Sequence, residues 1–296
     1  MNKRSFVVTG ATGNVGRVVA DQLNAQGHEV RRVSRRLGVD LDNALALDQA
    51  FSGAEGAFLV VPPEPTAADL RRRQNEVGMK LADAVRKAGI RRVVFLSSAN
   101  AQYDAHTGPI LGLHDMEERL NKLDIAELVH LRPSFFMENH LWGVGLIAQM
   151  GFYGTAFRPD VPLPMVATRD VGERAAELLS EEPFGEARVR ELLGARDYTM
   201  AEATSILGRA IGKRDLRYVQ FAYDEARKFM LSNGLSASYA DATLEIARSF
   251  NEGTVRTMER RSAINTTATT LDQFADEVFR KVFEGIAVRA WKYGQS

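Results

Sequence analysis

Three glycines near the amino terminus have the spacing of a nucleotide-binding turn. The apolar run 6–8 leads through Thr9 into Gly10, Gly13 and Gly16, which predicts a strand, a tight turn and the start of a helix. Glycine permits the sharp turn and a close approach of the backbone to a ligand, while the helix amino terminus offers unpaired N–H groups to a pyrophosphate. The segment therefore indicates a dinucleotide-binding site.

Basic residues after the second predicted strand indicate which dinucleotide is bound. An NAD site usually has an acidic residue about 20 residues past the glycines, but this chain has Arg31, Arg32, Ser34, Arg35 and Arg36 in that region. A guanidinium can bind a 2′-phosphate through paired hydrogen bonds, and a serine can add a hydroxyl. We expect NADP(H) to be preferred over NAD(H), with Arg35 at the ribose phosphate and Arg32 or Arg36 as a second contact; the alternative is a solvated basic turn.

The catalytic pair of short-chain dehydrogenases is missing. No tyrosine is followed by a lysine four residues later, the spacing that presents both groups on one helical face for proton transfer. His114 and Glu118 share a face of a helix expected to begin near Gly112, which makes His114 a candidate proton donor unless the segment is an ordinary solvated helix start. Ser97 and Ser98 end a predicted strand, where they line the cofactor or simply finish the strand.

Aromatic residues cluster after the last predicted strand of the first half. Phe135, Phe136, Met137 and Trp142 follow the sequence Leu-Arg-Pro at 131–133. Their joint position favours a pocket for a flat, apolar substrate above the nicotinamide, although core packing explains each of them singly.

Bulk composition limits the possible partners. The 296 residues carry 38 basic and 38 acidic side chains, so the chain lacks the basic footprint expected of a nucleic-acid-binding protein. There is no long apolar run, no apolar leader and no cysteine, and the five histidines lack a paired metal spacing. We expect a cytoplasmic protein, a monomer or homodimer, with no membrane, nucleic-acid or metal partner.

Apolar runs and helical patterns alternate through the first half, as in a Rossmann-type α/β fold with a doubly wound parallel sheet. Residues 1–150 are expected to form this NAD(P)-binding domain, and residues 151–296 a smaller, mostly helical substrate-binding lobe, with or without a strand that returns to the sheet. The predicted strands of the sheet cover 5–9, 29–34, 57–61, 92–97 and 127–131.

Start and stop signals place the helices of the first half. One helix is expected over 15–26, and another over 67–88, beginning after Thr66 and ending at Gly89. The stretch from Ser34 to Leu41 is too short for a full helix, so we expect the second helix of the pattern to be lost and a stub of strand at 39–41.

The second half begins with residues rich in glycine, proline and aromatics over 151–164, which predict a loop. Helices are expected after Thr199, which has Glu202 three residues later, and over 224–234 and 236–250. A last helix is expected to start at Thr270. Its one-sided apolar residues are Phe274, Val278, Phe279, Val282 and Phe283.

The sequence resembles the NmrA-like branch of atypical short-chain dehydrogenases/reductases. The resemblance spans nearly the whole chain, and relatives in this family typically lack the tyrosine–lysine pair. Several reductases of the family carry a lysine just before the position of His114, where this chain has Leu113. The matching segments are Val8 to Gly16, Gly27 to Arg31 with Ser34 and Arg35, His114 with Glu118, Leu131 to Pro133 with Phe136 to Asn139, Arg169 to Gly172, Tyr198 to Gly212, and Thr270 to Phe283.

The resemblance also implies roles for individual residues. A group in the glycine turn would contact the pyrophosphate, Arg35 the adenosine phosphate, and Phe136 to Asn139 the substrate. The turn residues are Gly10, Thr12, Gly13, Asn14 and Val15; the residues implied near the riboses and the nicotinamide are Val61, Pro62, Ser97 and Ser98. On the substrate side the resemblance implies Met137 and Asn139 among the residues 136–139, and the aromatic cluster adds Trp142.

Two functions fit these features. The first is an NADPH-dependent reductase that transfers hydride to a flat acceptor such as a quinone or dye, which needs no dedicated acid because the product oxyanion can take a proton from water. The second is a non-catalytic protein that senses NADP(H). A sugar-nucleotide epimerase is disfavoured because it needs the tyrosine.

Overall fold

A computed structural model describes residues 3–180, 184 and 188–293 of the chain. Its central feature is a six-stranded parallel sheet with helices on both faces. The strands of the described residues are β1 (Ser5–Thr9), β2 (Glu29–Val33), β3 (Gly56–Val60), β4 (Arg92–Leu96), β5 (Glu127–Pro133), β6 (Phe135–Phe136), β7 (Phe152–Thr155), β8 (Leu163–Val166), β9 (Val189–Leu192), β10 (Asp197–Tyr198) and β11 (Arg217–Gln220). The α-helices are α1 (Asn14–Ala25), α2 (Ala44–Phe51), α3 (Leu70–Ala88), α4 (Leu111–Asn121), α5 (Val144–Met150), α6 (Thr168–Ser180), α7 (Met200–Ala210), α8 (Tyr223–Ser232), α9 (Ala237–Glu252), α10 (Leu271–Phe274) and α11 (Arg280–Tyr293).

The strand order of the large sheet is β2-β1-β3-β4-β5-β9, and each neighbouring pair is parallel. The chain goes from β1 to one side with β2 and then returns across β1 to continue on the other side. This reversal creates a crevice outside the carboxyl ends of β1 and β3, where sheets of this kind bind ligands. The predicted Rossmann-type fold class is confirmed.

Two apolar layers hold the sheet between its helices. One face is covered by α2, α3 and α4, with Phe51 and Leu81 fully buried, and the other by α1 and α6, with Leu23 and Leu179 fully buried. Strands covered on both faces are nearly continuous in apolar residues, as the sequence showed. The five strands predicted in the first half are present, each with ends within two residues of the prediction.

The connection from β2 to β3 differs from the prediction. Residues 39–41 form no strand, and the helix that was expected to be lost is present as α2, which begins after its cap Asn43. Val39 and Leu41 are half-buried against the apolar core without pairing with β2. Val39 and Leu41 lie in a half-buried loop. The next strand, β3, pairs with β1 and not with β2, so the sheet ends at β2 on this side.

The start of α3 also lies later than predicted. The helix begins at Leu70 rather than after Thr66, because the Asp69 side chain accepts a hydrogen bond from Arg72 N at 2.9 Å and caps it. Its predicted end is confirmed, since Gly89 has the left-handed conformation of a helix C-cap (φ 64°).

The second half contains more strand than predicted. Part of the expected loop over 151–164 is strand: β7 pairs in parallel with β11, and β8 pairs with β6 and β10. β9 returns to the large sheet beside β5. The capping boxes at Thr199 and Thr270 are confirmed, as are the helices near 224–234 and 236–250.

The apolar face of the last helix is interrupted. A π-helical turn over Ala275–Phe279 shifts the side-chain register. Phe274 and Phe279 are buried, but Val278 is exposed, contrary to the prediction. None of the helices in the described part of the chain has the length and apolarity needed to cross a membrane.

Candidate functional site

The glycine turn has the geometry of a close backbone approach. Gly10 adopts a left-handed conformation (φ 64°), and Gly13 N donates a hydrogen bond to Gly10 O at 2.9 Å. A Cβ atom on Gly16 would lie 2.4 Å from Gly10 O, which is too close for any residue with a side chain. The start of α1 therefore sits directly against the turn, and only glycine fits there.

The amino terminus of α1 is open to an anionic ligand. Its cap, Gly13, has no side chain to satisfy the first N–H groups, and the first turn carries no acidic residue. Thr12, Gly13 and Asn14 are exposed, whereas Val15 is buried in the core. Unpaired N–H groups and the helix dipole favour a negative charge at this point. The residues present thus fit the pyrophosphate of a dinucleotide.

Thr9 is a residue of this region that the sequence argument missed. Its hydroxyl donates to Phe58 O at 3.2 Å and accepts from Val60 N at 2.7 Å. This side chain extends the β1–β3 pairing by one step, at the point where the backbone of β1 turns away into Gly10. A polar residue directly after the apolar run 6–8 and directly before the first glycine is the signal that could have identified it.

The end of β2 meets the glycine turn. Thr12 Oγ1 lies 3.2 Å from Ser34 Oγ, and Ala11 N donates to Val33 O. Arg35 follows as the first residue of a short 3-10 helix, Arg35–Leu37, and is exposed. These contacts bring two predicted cofactor-binding groups, the turn and Ser34, to one place.

The arginines after β2 differ in their partners. Arg32 pairs with Asp21 of α1 at 2.7 Å. Among the residues whose side chains the structure describes (3–180, 184 and 188–286), none forms an ion pair or a side-chain hydrogen bond with Arg35 or Arg36. Because their guanidinium groups are not neutralised by the protein, Arg35 and Arg36 are the ones free to bind a phosphate.

An ion-pair network fixes the segment that follows these arginines. Asp42 accepts hydrogen bonds from Arg73 and Lys80 of α3, and both contacts hold the pKa of the Asp42 carboxyl well below its usual range. Arg73 also contacts Glu64 in the loop after β3 at 3.0 Å. In that loop Val61 is buried and Pro62 is half-buried. The two loops on either side of the crevice are thereby tied to one helix.

Ser97 forms part of a buried polar group. Its hydroxyl donates to Glu117 Oε1 at 2.5 Å, and Arg132 of β5 binds both oxygens of the same carboxylate. All three residues are buried, while the adjacent Ser98 is half-buried. The hydrogen of the Ser97 hydroxyl is therefore committed to Glu117, a residue that the sequence argument did not single out.

His114 lies on α4 close to the loop after β4. Its Nδ1 is 2.8 Å from Ala101 O, and the ring is half-buried. A carbonyl oxygen only accepts hydrogen bonds, so the neutral ring carries its proton on Nδ1 and leaves Nε2 as an acceptor. Glu118, on the same face, is exposed.

The predicted substrate residues do not share one environment. Phe136 is half-buried, Asn139 is exposed and Trp142 is 69% exposed. Met137 is fully buried in the apolar core of the second half. The side chains of Phe136, Asn139 and Trp142 are thus accessible to a ligand, whereas that of Met137 is not.

Glu138 links this region to the helix that supports the turn. Its carboxylate accepts hydrogen bonds from Thr168 N at 3.1 Å, at the start of α6, and burial raises the pKa of that carboxyl. α6 packs closely on α1, since a Cβ on Gly172 would lie 2.6 Å from Val18 Cβ. The segment after β5 therefore helps to position the helix whose amino terminus faces the crevice.

α9 covers the loops at the carboxyl ends of β3 and β4. Ser236 N donates to Pro65 O, and Leu70 N donates to Ser238 Oγ at 2.9 Å. A Cβ on Gly108 would lie 1.9 Å from Ala242 O, so this loop passes directly under the helix. The second half of the chain thus packs over the edge of the sheet that carries the candidate site.

A solvent-filled cleft of about 610 Å³ lies beside α9, lined by charged residues such as Arg227, Asp241 and Glu245. Its lining includes none of the predicted site residues. We assign the site to the crevice instead, because the glycine turn and the exposed arginines lie there. Within the described residues, no three His, Cys, Asp or Glu side chains are arranged to hold a metal ion.

Known proteins resemble this chain in sequence and in fold. The (4-alkanoyl-5-oxo-2,5-dihydrofuran-3-yl)methyl phosphate reductase of Streptomyces griseus is 31% identical over 245 residues, which cover 77% of this chain and 80% of the reductase. The triphenylmethane reductase of Citrobacter sp., solved with NADP(H), superimposes with a TM-score of 0.72 at 18% identity, covering 92% of this chain and 99% of that one. NmrA, a negative transcriptional regulator solved with NADP, gives 0.71 at 19% identity, covering 97% and 98%.

The family profile extends over almost the whole sequence. It matches residues 2–282, which include the glycine turn, the exposed arginines, α4 and the segment after β5. The match therefore covers both the sheet and the helices that pack over its edge. The chain belongs to the NmrA-like family.

Proposed function

We propose that this protein is an NADPH-dependent reductase of a small, flat acceptor such as a quinone or dye. The observation that carries the proposal is the crevice itself. An uncapped helix amino terminus stands beside a hydroxyl pair, Thr12 and Ser34, and beside the unpaired arginines Arg35 and Arg36. The reductases among the similar proteins support the same chemistry.

Each group in the crevice has a separate part in binding. The N–H groups at the start of α1 bind the pyrophosphate, and Arg35 with Ser34 binds the 2′-phosphate, which distinguishes NADPH from NADH. Val61, Pro62 and Ser98 border the riboses and the nicotinamide. When bound, the nicotinamide supplies a hydride to the acceptor.

The acceptor side is proposed to lie against Phe136, Asn139 and Trp142, the accessible members of the segment after β5. An aromatic wall of this kind holds a flat ring face to face with its reaction partner, and such positioning is the main contribution the protein makes. His114 could donate a proton only as the imidazolium, because its neutral ring has its proton committed to Ala101 O. A quinone, whose reduced oxygen can be protonated by water, is thus a suitable acceptor.

The alternative function is a non-catalytic sensor of NADP(H). It is favoured by the hydrogen bonds of the Ser97 hydroxyl to Glu117 and of His114 Nδ1 to a carbonyl, because neither of these two protons is available to an acceptor. The similarity to NmrA, a transcriptional regulator, agrees with it.

A turnover assay distinguishes the two functions. NADPH oxidation is followed by absorbance with a panel of quinones and triphenylmethane dyes, and dinucleotide binding is measured by fluorescence on the same preparation. We expect oxidation that saturates with at least one acceptor and tighter binding of NADPH than of NADH. Tight binding of both NADPH and NADP⁺ without turnover of any acceptor would contradict the reductase and support the sensor.

A further inference from the structure

Two polar side chains without hydrogen-bond partners lie in the segments that follow the neighbouring strands β4 and β5. Asn100 is only 2% exposed, and its Oδ1 has no hydrogen-bond partner among the described residues; the same holds for the buried Oγ of Ser134. Ala99 N donates to Pro133 O at 2.8 Å in the last bond between these two segments. Asn100 and Ser134 therefore each stand one residue beyond that bond, at the carboxyl edge between β4 and β5.

The backbone of Asn100 is strained. Its φ of 75° is in the left-handed region, which favours glycine, and the turn is held there by bonds from Ala101 N to Ser98 O and from Tyr103 N to Asn100 O. Glycine would adopt this conformation without strain and would leave no amide buried. A side chain that costs free energy both in its backbone and in its unpaired oxygen indicates a role other than folding.

We propose that Asn100 and Ser134 together bind the carboxamide nitrogen of the nicotinamide ring. Both orphan atoms are oxygens that can accept a hydrogen bond, and a carboxamide –NH₂ carries two N–H groups on one atom. The two strands end on the side of the sheet where the crevice lies, with Ser98 beside them. The inference rests on the proposed dinucleotide binding and adds the residues that orient the ring.

The test compares two dinucleotides that differ at this group. NADP⁺ and its 3-acetylpyridine analogue, in which a methyl group replaces the –NH₂, are titrated by calorimetry against the wild-type protein and Asn100→Gly. We expect the wild type to bind NADP⁺ at least about tenfold more tightly than the analogue, because two neutral hydrogen bonds are lost with the –NH₂, and we expect Asn100→Gly to show a several-fold smaller preference, because it loses one of them. Ser134→Ala should reduce the preference in part.

His106→Gly is the matched control, because His106 is also a non-glycine residue with a positive φ (64°) but is exposed. Both glycine variants should show an unchanged or raised Tm, while only Asn100→Gly shows a reduced preference for NADP⁺ over the analogue. An equal preference in the wild type and Asn100→Gly would overturn the inference and assign the orphan oxygens to a buried water. Failure of the wild type to bind any dinucleotide would instead refute the proposed function.

Discussion

Glu117 and Arg132 form a buried, bidentate ion pair beneath the carboxyl ends of β4 and β5. Arg132 Nε and Nη2 lie 2.8 Å and 2.5 Å from the two carboxylate oxygens, and Ser97 donates to the same carboxylate. The pair joins a helix on one face of the sheet to a central strand, directly under the region proposed to hold the nicotinamide.

Removal of one partner of this pair should be strongly destabilising. Glu117→Ala leaves the buried Arg132 guanidinium without the carboxylate to which it is hydrogen-bonded, so we expect the free energy of unfolding to fall by about 3–5 kcal/mol. Urea unfolding followed by circular dichroism measures this. Glu177→Ala, which breaks an exposed pair with Arg174, should change it by less than about 1 kcal/mol. Similar losses in the free energy of unfolding for both variants would show that the buried Glu117–Arg132 pair stabilises the fold no more than an exposed pair does.

Gly16→Ala should disrupt the turn that binds the pyrophosphate. The new Cβ would press on Gly10 O, which forces the turn and the start of α1 apart. We expect a loss of stability of about 1–3 kcal/mol and a clear loss of NADPH affinity, measured by thermal unfolding and fluorescence titration. Gly145→Ala is the control, because no atom lies within 4 Å of a Cβ at that position. Unchanged NADPH affinity in both variants would contradict the binding of the pyrophosphate at this turn.

Arg35→Ala should selectively weaken the binding of NADPH. A charge-assisted contact to the 2′-phosphate contributes about 1.5–3 kcal/mol, so we expect NADPH affinity to fall about 10- to 100-fold while NADH affinity stays constant. Arg91→Ala removes the same charge from an exposed residue at the opposite, amino-terminal end of β4. Parallel loss of NADPH and NADH affinity in Arg35→Ala would argue against a phosphate contact.

Trp142→Ala should affect the acceptor without affecting the fold. Its side chain is 69% exposed, so its loss removes little buried area, and we expect Tm to stay constant while KM for a flat acceptor rises several-fold. Leu45→Ala, with a side chain 68% exposed on α2, provides the control. An unaltered KM would remove Trp142 from the proposed acceptor wall.

The stability of the protein should fall at mildly acidic pH because of two buried histidines. Burial lowers the pKa of His140 and of His130 to about 4, while both titrate near 6.5 in the unfolded chain. The unfolded state then binds more protons between these values, so each histidine removes up to ~3 kcal/mol of stability as pH drops from about 6.5 to 4.

Substitution of His140 separates this effect from general acid denaturation. His140→Gln can keep a hydrogen bond to Tyr153 OH, which lies 2.9 Å from Nδ1, but it has no proton to take up. Its free energy of unfolding should depend less steeply on pH between 6.5 and 4 than that of the wild type. His106→Gln, at an exposed position, is the control. If the pH dependence of the free energy of unfolding is the same in His140→Gln as in the wild type, protonation of His140 does not cause the loss of stability.

Features of this protein that depend on local backbone chemistry can be recognised from the residues alone. Glycine spacing set the turn at Gly10 to Gly16, apolar runs set the five strands, and the polar caps Thr199 and Thr270 set two helix starts. These features follow from conformational preferences of a few neighbouring residues, so they can be recognised without a fold. The absence of a tyrosine–lysine pair is likewise a fact of sequence.

The tertiary structure decided which of these residues meet and which polar groups are left without partners. No local pattern shows that Arg32 is neutralised by Asp21 while Arg35 is not, or that Ser97 is committed to Glu117. The path of β2 to β3 depended on the pairing of β3 with β1, which local propensity cannot specify. The Asn100 oxygen lacks a partner because the surrounding residues bury it without placing a donor beside it, and such packing is a property of the whole chain.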